Sequence, residues 1–388
     1  MESNNDTRVY ENYNYYFANF TDFRQVHKIK HRLTEILFIC ILATISGAED
    51  IEDIARYARA KRNWLSTFLT LPFGIPSHDT FNRVLCMIDP EEFEKKFISW
   101  VSDYRKQLPM DNEIEKDIIP IDGKTICNSK DINTGKKAIH MVSAMSTKYG
   151  LILGQKKCAE KSNEITAIPD LLDMIDITSA IITIDAMGCQ RKIAEKIISK
   201  KADYILALKG NQGNLHDEVI DFFEKTKQPE FNKYIYQTDT QIEKDHGRIE
   251  TRQCSTVTNL EWLLEPSQWQ NIKSIVKIKS AVIQGDKQTT EERFYISSLD
   301  GNAKLLNMAI RTHWHIENKL HWVLDVIFRE DYCRLRSGNG AENMNIVRKI
   351  AINKMKADNS YKDSLKGKKK RCSWEDNYAL KILAEMMA

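Results

Sequence analysis

The sequence has no apolar run long enough to cross a bilayer. Its longest run, Ile36 to Ile45, is 10 residues, whereas a membrane-spanning helix takes about 20. This run therefore predicts a buried helix. The first residues also have no positively charged stretch followed by an apolar core, so no secretory signal is predicted and the protein is expected in the cytoplasm.

Closely spaced cysteines are also missing. The chain contains eight cysteines, but the nearest neighbours in sequence are 31 residues apart and no CxxC pair exists. This spacing gives no sign of a cysteine metal site or of a disulfide framework. We expect free thiols, most of them buried.

A strong overall charge is absent, because the formal net charge is only +3. The charge is unevenly distributed: residues 329–372 contain 13 lysines and arginines against 5 acidic residues and include the run KGKKKR. Two explanations remain open for this run, a solvated tail and contact with nucleic acid.

The N-terminal region has a helical pattern. From about Val26 to Gln107, apolar residues recur at spacings of three and four, and Gly47 separates two of the predicted helices. The stretch HDTFNRVL could offer Asn82 and Arg83 to a DNA groove, as in a helix-turn-helix, although a plain helical bundle has the same pattern. Residues 1–110 are therefore predicted to form a helical domain, with binding of DNA ends as the functional alternative to a plain bundle.

The pattern changes to strands after Asp117. Three strands in a meander are followed by alternating helices and strands, which predicts a mixed α/β fold with an RNase H-like core. We assign this core to residues 117–228 and 303–356. Residues 229–302 are predicted to be a β-rich insertion and residues 357–388 a basic tail.

Two aspartates each follow an apolar run. Asp122 follows the run in IIPIDGKTIC, and Asp185 follows the run in SAIITIDAMGCQ, 63 residues later. In a sheet of RNase H order the first and fourth strands are neighbours, so we expect both carboxylates at the ends of these strands, at one edge. Because adjacent carboxylates repel, we predict that divalent cations, Mg²⁺ or Mn²⁺ in a two-ion site, bind them.

A third carboxylate is needed, and Glu317 in RTHWHIENKLHWVLDV is the candidate. It belongs to a polar stripe on a predicted long helix, with residues spaced by four: His313, Glu317, His321 and Asp325. The rival acids are Asp325, Glu330 and Asp331. Asp325 is two turns on, roughly 12 Å along the helix axis, and the other two follow where the helix is expected to end.

Several polar side chains are candidate DNA contacts. In DHGRIETR, alternate residues from His246 to Arg252 share one face of a strand, which suits either DNA contact or an exposed salt-bridged ladder. In LKGNQGN, either phosphate contact or a turn and helix cap is possible. Trp314 and Trp322 could stack on a base or simply pack.

The chain contains, in this order, the stretches PIDGKT, TIDAMGCQ, DYILALKGNQ, HGRIETR and HWHIENKLHWVLDVIFRED. Together they resemble the transposases of bacterial insertion sequences, in the branch that includes the H-repeat-associated proteins. The stretch from GAEDIEDIARY to HDTFNRVL resembles the N-terminal domain of the same branch. The resemblance covers nearly the whole chain, from about Arg24 to Lys356.

This resemblance implies a DDE transposase. Such an enzyme uses divalent metal ions to nick DNA at transposon ends, and the freed 3′-hydroxyl then attacks target DNA. The acidic triad corresponds to Asp122, Asp185 and Glu317. The resemblance also implies terminal inverted repeats and target DNA as partners, a homodimer on DNA and a location at the nucleoid.

The chain departs from related enzymes in the helix that carries the glutamate. Those enzymes have tyrosine, arginine and lysine at fixed spacing from it, where this chain has Ile310, His313 and Leu324. The residues that we predict to contact DNA are Lys124, Lys209, Asn211, Gln212, His246, Arg248, Arg311, His313, Trp314 and Asn318.

Two alternative functions remain. A decayed transposon copy would be a DNA-binding protein without catalysis. A zinc hydrolase could use His313, Glu317 and His321, although the usual HExxH motif is absent.

Overall fold

The computed structural model describes residues 3–108, 116–131, 133–158, 164–226, 234–245 and 247–386. None of the described helices combines the length and apolar character that a membrane span requires.

The N-terminal region is helical. Its helices are α1 (Ser3–Phe17), α2 (Leu33–Ile45), α3 (Ile51–Ala60), α4 (Arg62–Leu65), α5 (His78–Met87) and α6 (Pro90–Gln107). Helix α2 is apolar on all sides and almost completely buried, as the run from Ile36 to Ile45 predicts. It ends before Gly47, which has a positive φ of 115°, and the Asp50 side chain then caps α3 by accepting the N–H of Asp53.

One nine-stranded sheet forms within the described residues. Its strands are β1 (Ile118–Ile126), β2 (Ile139–Met145), β3 (Ile152–Cys158), β4 (Ile181–Ile184), β5 (Asp203–Leu208), β6 (Gln237–Asp245), β7 (Arg248–Val257), β8 (Ser274–Gln284) and β9 (Lys287–Ser297). The strand order is β3-β2-β1-β4-β5-β9-β8-β7-β6.

The first five strands have the predicted RNase H-like arrangement. Strands β1, β2 and β3 form an antiparallel meander, and β4 and β5 add in parallel on the other side of β1. Strands β6 to β9 extend the same sheet, because β9 pairs with β5. The stretch predicted as a β-rich insertion is therefore continuous with the sheet of the core.

The remaining helices flank the sheet or follow it. They are α7 (Glu164–Met174), α8 (Arg191–Ser199), α9 (Gly213–Lys225), α10 (Ala303–His313), α11 (Gly340–Ala357), α12 (Leu365–Trp374) and α13 (Asp376–Ala384). Helix α10 packs against β1, β4, β6 and β7, whereas α7 packs against β2 and β3.

The predicted single long helix is wrong in its detail. Helix α10 ends at His313, and the chain continues through two π-helical turns, Glu317–His321 and Val323–Ile327. The N–H of Trp322 donates to the carbonyl of Glu317, five residues earlier, and this bond defines the wider turn. Such turns are rare and occur often at functional sites. We call residues 317–327 the π-helical segment.

The basic C-terminal stretch is folded, so the alternative of a solvated tail is wrong for part of it. Lys368 and Lys369 in α12 are buried. Lys368 Nζ donates to the carbonyl of Met355 in the last turn of α11 (3.0 Å), and Lys369 Nζ donates to the carbonyl of Ile327 (2.8 Å). Carbonyl groups at helix ends lack partners within the helix and accept hydrogen bonds from lysine.

Helix α11 connects the N-terminal helices to the sheet. It packs against α2, α5 and α6 as well as β3, and it is buried along nearly its whole length. Its polar side chains bind main-chain groups of these neighbours. Asn343 Nδ2 donates to the carbonyl of Leu85 (2.8 Å), and Asn353 bonds both the N–H and the carbonyl of Ile152 (2.8 and 2.9 Å).

We predict that Asn353→Ala lowers the free energy of unfolding by about 2 to 4 kcal/mol, because two buried main-chain groups of β3 lose their partner. Urea unfolding measures this difference. Asn133→Ala, at an exposed position, is the matched control and should change stability by less than about 0.5 kcal/mol. Equal stability of the two variants would contradict this role of Asn353.

Candidate functional site

The two predicted aspartates lie side by side, where the parallel pairing of two strands ends. The last paired residues of β1 and β4 are Ile121 and Ile184, and Asp122 and Asp185 follow them directly. The expectation that Asp122 ends its strand is wrong, because β1 continues to Ile126 in antiparallel pairing with β2. What ends just before Asp122 is the pairing of β1 with β4, whose last residue is Ile184.

Asp185 begins a loop that main-chain and side-chain hydrogen bonds hold in shape. Its Oδ1 accepts the N–H groups of Met187 (3.1 Å) and Gly188 (3.3 Å). The side-chain amides of Asn211 and Gln212 donate to the carbonyls of Ala186 (2.6 Å) and Cys189 (2.7 Å). These two amides, predicted to contact DNA, therefore support the Asp185 loop, and their contact with DNA stays a prediction.

The π-helical segment brings Glu317 next to Asp122. Possible metal-ligand atoms of Asp122, Glu317 and His321 lie within 4.8 Å of one another. His321 Nδ1 is 3.2 Å from Glu317 Oε2 and 3.7 Å from Asp122 Oδ2. His321 is buried and its Nε2 has no hydrogen-bond partner among the described residues. In the sequence it is visible only as part of the polar stripe and of the zinc alternative.

Negative charge accumulates at this position. Burial, with smaller contributions from the carboxylates of Glu317, Asp185 and Glu164, raises the pKa of Asp122 to about 8. Burial also raises the pKa of Asp185, and Glu164 adds to this effect. The pKa of Glu317 is lowered, chiefly by its hydrogen bond to His321. A bound cation would favour the ionised form of all these carboxylates.

Glu164, at the start of α7, is an acidic neighbour that the sequence reasoning missed. It is buried and forms a short contact with Nε2 of His140, whose Nδ1 lies 2.9 Å from the hydroxyl of Thr125. A Cβ atom on Gly123 would collide with the side-chain ends of Glu164 and His140, so a larger residue at this position would displace them. No motif marks Glu164, because its proximity depends on how α7 packs against the sheet.

Lys124 lies among Asp325, Glu330 and Asp331, the three acids that are alternatives to Glu317 as the third metal ligand. Its Nζ is 2.7 Å from Asp325 Oδ1, 3.3 Å from Glu330 Oε2 and 3.5 Å from Asp331 Oδ1. The Lys124 side chain is 12% exposed and Glu330 is completely buried. Burial opposes the charged form of Lys124, but the carboxylates, Glu330 foremost, outweigh it and raise its pKa. We call these four residues the Lys124 cluster; contact of Lys124 with phosphate stays a prediction.

The predicted strand ladder is largely a salt-bridged network. Arg252 is buried and its Nε donates to Asn307 Oδ1 of α10 (2.7 Å). Arg311 Nη2 is 2.9 Å from Glu243 Oε2, and Arg248 Nη2 is 3.4 Å from Glu250 Oε2. The geometry favours the ladder alternative, and DNA contact by Arg248 and Arg311 stays a prediction. His246 lies outside the described residues.

For Lys209, His313, Trp314 and Asn318, contact with DNA stays a prediction. Lys209 is exposed and close enough to Asp185 to lower its pKa slightly. Burial lowers the pKa of His313 to about 4, so its imidazole is neutral at pH 7, and its Nδ1 lies 2.9 Å from the hydroxyl of Thr183. Trp314 is 44% exposed, and Asn318 is also exposed.

The strand order and the carboxylates at the end of the β1–β4 pairing define an RNase H-like protein. Comparison with protein families agrees: the family described as "Transposase DDE domain" matches residues 113–354, and "DDE_Tnp_1-associated" matches residues 15–101. The chain belongs to the transposase DDE domain family. The resemblance predicted from the motifs is thereby confirmed.

Similar proteins are known in Escherichia coli. The "H repeat-associated putative transposase YhhI" of strain K12 is 42% identical over 368 residues, which are 94% of this chain and 95% of that protein. The "Putative transposase YncI" of strain O157:H7 is 41% identical over 374 residues, 95% of this chain and 93% of that protein.

Among solved structures, the piggyBac transposase synaptic complex with hairpin DNA matches with a TM-score of 0.40 and 11% identity, over 93% of this chain and 75% of that one. This likeness is too distant to support an argument.

We predict that Lys124→Met lowers the free energy of unfolding by about 3 kcal/mol, because it leaves the buried carboxylate of Glu330 without its ammonium partner. Urea unfolding at pH 7 measures the change. Lys130→Met removes an exposed lysine six residues away and should cost less than about 0.5 kcal/mol. If both variants unfold at the same urea concentration, the Lys124 cluster does not hold this region together.

Proposed function

We propose that this protein is a DNA transposase. It cleaves phosphodiester bonds at transposon ends and joins the freed 3′ ends to target DNA. The observation that supports this most is the position of Glu317, whose carboxylate lies next to Asp122, while Asp185 follows the neighbouring strand. Membership of the transposase DDE domain family and the named transposase relatives support the same reaction class.

The side chains present fit divalent metal ions. Carboxylate oxygens suit Mg²⁺ and Mn²⁺, and the raised pKa of Asp122 reflects burial and the neighbouring carboxylates. We propose that Asp122, Asp185 and Glu317 hold two such ions. The zinc alternative, with His313, Glu317 and His321 as ligands, has less support. Nδ1 of His313 lies against the hydroxyl of Thr183, and the cluster of possible ligands among the described residues contains Asp122 in place of His313.

In cleavage, a water oxygen attacks phosphorus and the bond from phosphorus to the 3′-oxygen breaks, which leaves a 3′-hydroxyl and a 5′-phosphate. In strand transfer, that 3′-hydroxyl attacks a target phosphate and a target 3′-oxygen leaves with the proton. Bound divalent ions would lower the pKa of the attacking group and stabilise the leaving oxygen.

The residues of the chain position these groups. His321 bridges Glu317 and Asp122 and so orients the glutamate. The N–H groups of Met187 and Gly188 fix the Asp185 carboxylate. We further propose that two copies of the protein act on a pair of DNA ends, with terminal inverted repeats and target DNA as partners.

We predict that Asp122→Asn and Asp185→Asn abolish strand cleavage but leave DNA affinity nearly unchanged, because affinity depends mainly on basic groups that contact phosphate. Cleavage of a duplex with the terminal inverted repeat is measured with Mg²⁺ and with EDTA, and binding is measured with Ca²⁺. Normal cleavage by either variant would overturn the assignment. A parent protein that binds but never cleaves would support the non-catalytic alternative.

We predict that Glu317→Gln lowers the cleavage rate in Mg²⁺ at least about 100-fold, which corresponds to about 2.7 kcal/mol of transition-state stabilisation, while the protein stays folded. Asp325→Asn is the matched control on the same segment. It should cost much less activity, because Asp325 bonds Lys124. Parental activity of Glu317→Gln together with an inactive Asp325→Asn would mean that the third acid is misassigned.

A further inference from the structure

A basic groove lies at the far end of the π-helical segment. Three parts of the chain line it: the turn between α2 and α3, the residues from Asp325 to Arg329, and helix α12 with Lys366, Lys369 and Lys370. Its volume is about 570 Å³. The sequence points to the lysines of this helix but not to the wall that the α2–α3 turn contributes.

Each of the two acidic side chains of the groove has a basic partner outside α12. Glu49 Oε2 is 3.5 Å from Arg329 Nε, and Asp325 Oδ1 is 2.7 Å from Lys124 Nζ. Lys366 and Lys370 are exposed, and within the described residues their ammonium groups form no ion pair. The groove therefore carries positive charge that no group of the described chain neutralises.

The groove and the proposed catalytic site include residues of the same π-helical segment. Glu317 and Ile327 are ten residues apart on the π-helical segment, which places the groove no more than about 15 Å from Glu317 along the helix axis. This distance corresponds to roughly four base pairs at 3.4 Å per step of a strand. Aromatic surface borders the same end, because Tyr332 is 68% exposed and Arg329 lies 4.5 Å from the centre of its ring.

We infer that the basic groove binds the sugar-phosphate backbone of the DNA that flanks the cleaved phosphate, with Lys366 and Lys370 as the phosphate contacts. This inference rests on the proposed function, because the position of the DNA is inferred from cleavage at Asp122, Asp185 and Glu317. Charge, distance and an exposed aromatic edge fit a nucleic acid backbone better than a second copy of this chain, whose basic groove would repel its equivalent.

The test is the salt dependence of DNA binding by the full chain. Lys366→Gln with Lys370→Gln should make the plot of log affinity against log salt concentration shallower by about 2, since each phosphate contact contributes about 0.9 to the slope. The control is Lys95→Gln with Lys304→Gln, which removes the same charge at exposed positions on α6 and α10 and should keep the parental slope.

A second measurement locates the contact on the DNA. Methylphosphonate groups placed about four base pairs from the cleavage site should weaken binding by the parent protein and have little effect on the double variant. Identical slopes for the double variant and its control would overturn the inference. So would a change in oligomeric state on gel filtration without a change in slope, because the groove would then bind another copy.

These outcomes are independent of the proposed catalysis. Both variants are also made in the Asp122→Asn background, where binding is measured without cleavage. If the slope changes as expected but Asp122→Asn still cleaves, the groove is correct and the triad is wrong. If Asp122→Asn is inactive and the slope is unchanged, the triad stands and the groove does not bind DNA.

Discussion

One buried ammonium group holds together the elements that carry the candidate site. Lys124 is two residues after Asp122 on β1, and its Nζ contacts acids that follow Glu317 on the π-helical segment and just beyond it. Glu330 extends this contact to α11, because its Oε1 accepts the Nδ2 of Asn345 (2.7 Å). The strand that carries Asp122 and the segment that carries Glu317 are therefore linked through Lys124, whose ion pair with the fully buried Glu330 is the one that water screens least.

The Lys124 cluster also divides the acids of this region into two groups. Asp325, Glu330 and Asp331 share the ammonium group of Lys124 as counterion. Among the described residues, Asp122 and Asp185 form no ion pair with a lysine or arginine, and burial is the chief cause of their raised pKa values. A cation site needs carboxylates that are not already paired with a lysine or arginine of the protein. Asp122 and Asp185 meet this condition, because Lys124 pairs with the other acids.

The sequence was sufficient for the order of β1 to β5 and for the neighbouring positions of Asp122 and Asp185, because buried parallel strands appear as continuous apolar runs and the acids interrupt them. It did not show that β6 to β9 extend the same sheet. It was not sufficient for Glu164, whose position depends on how α7 meets the sheet. It also misjudged Lys368 and Lys369. A count of charges gives no information about carbonyl groups at helix ends, and these groups are what allow both lysines to be buried.

The two family matches divide the chain by sequence near residue 110, but the packing does not divide there. One apolar cluster includes residues from α1, α2, the sheet and α11, and α11 bonds main-chain groups of α5 and β3 alike. The α2–α3 turn is consequently held against the end of the π-helical segment, where Arg348 of α11 donates to the carbonyl of Glu49 (3.1 Å). A DNA backbone in the basic groove would thus contact the N-terminal helices and the acid-bearing segment at once, so recognition of a DNA end and alignment of its phosphate would depend on the same rigid contacts.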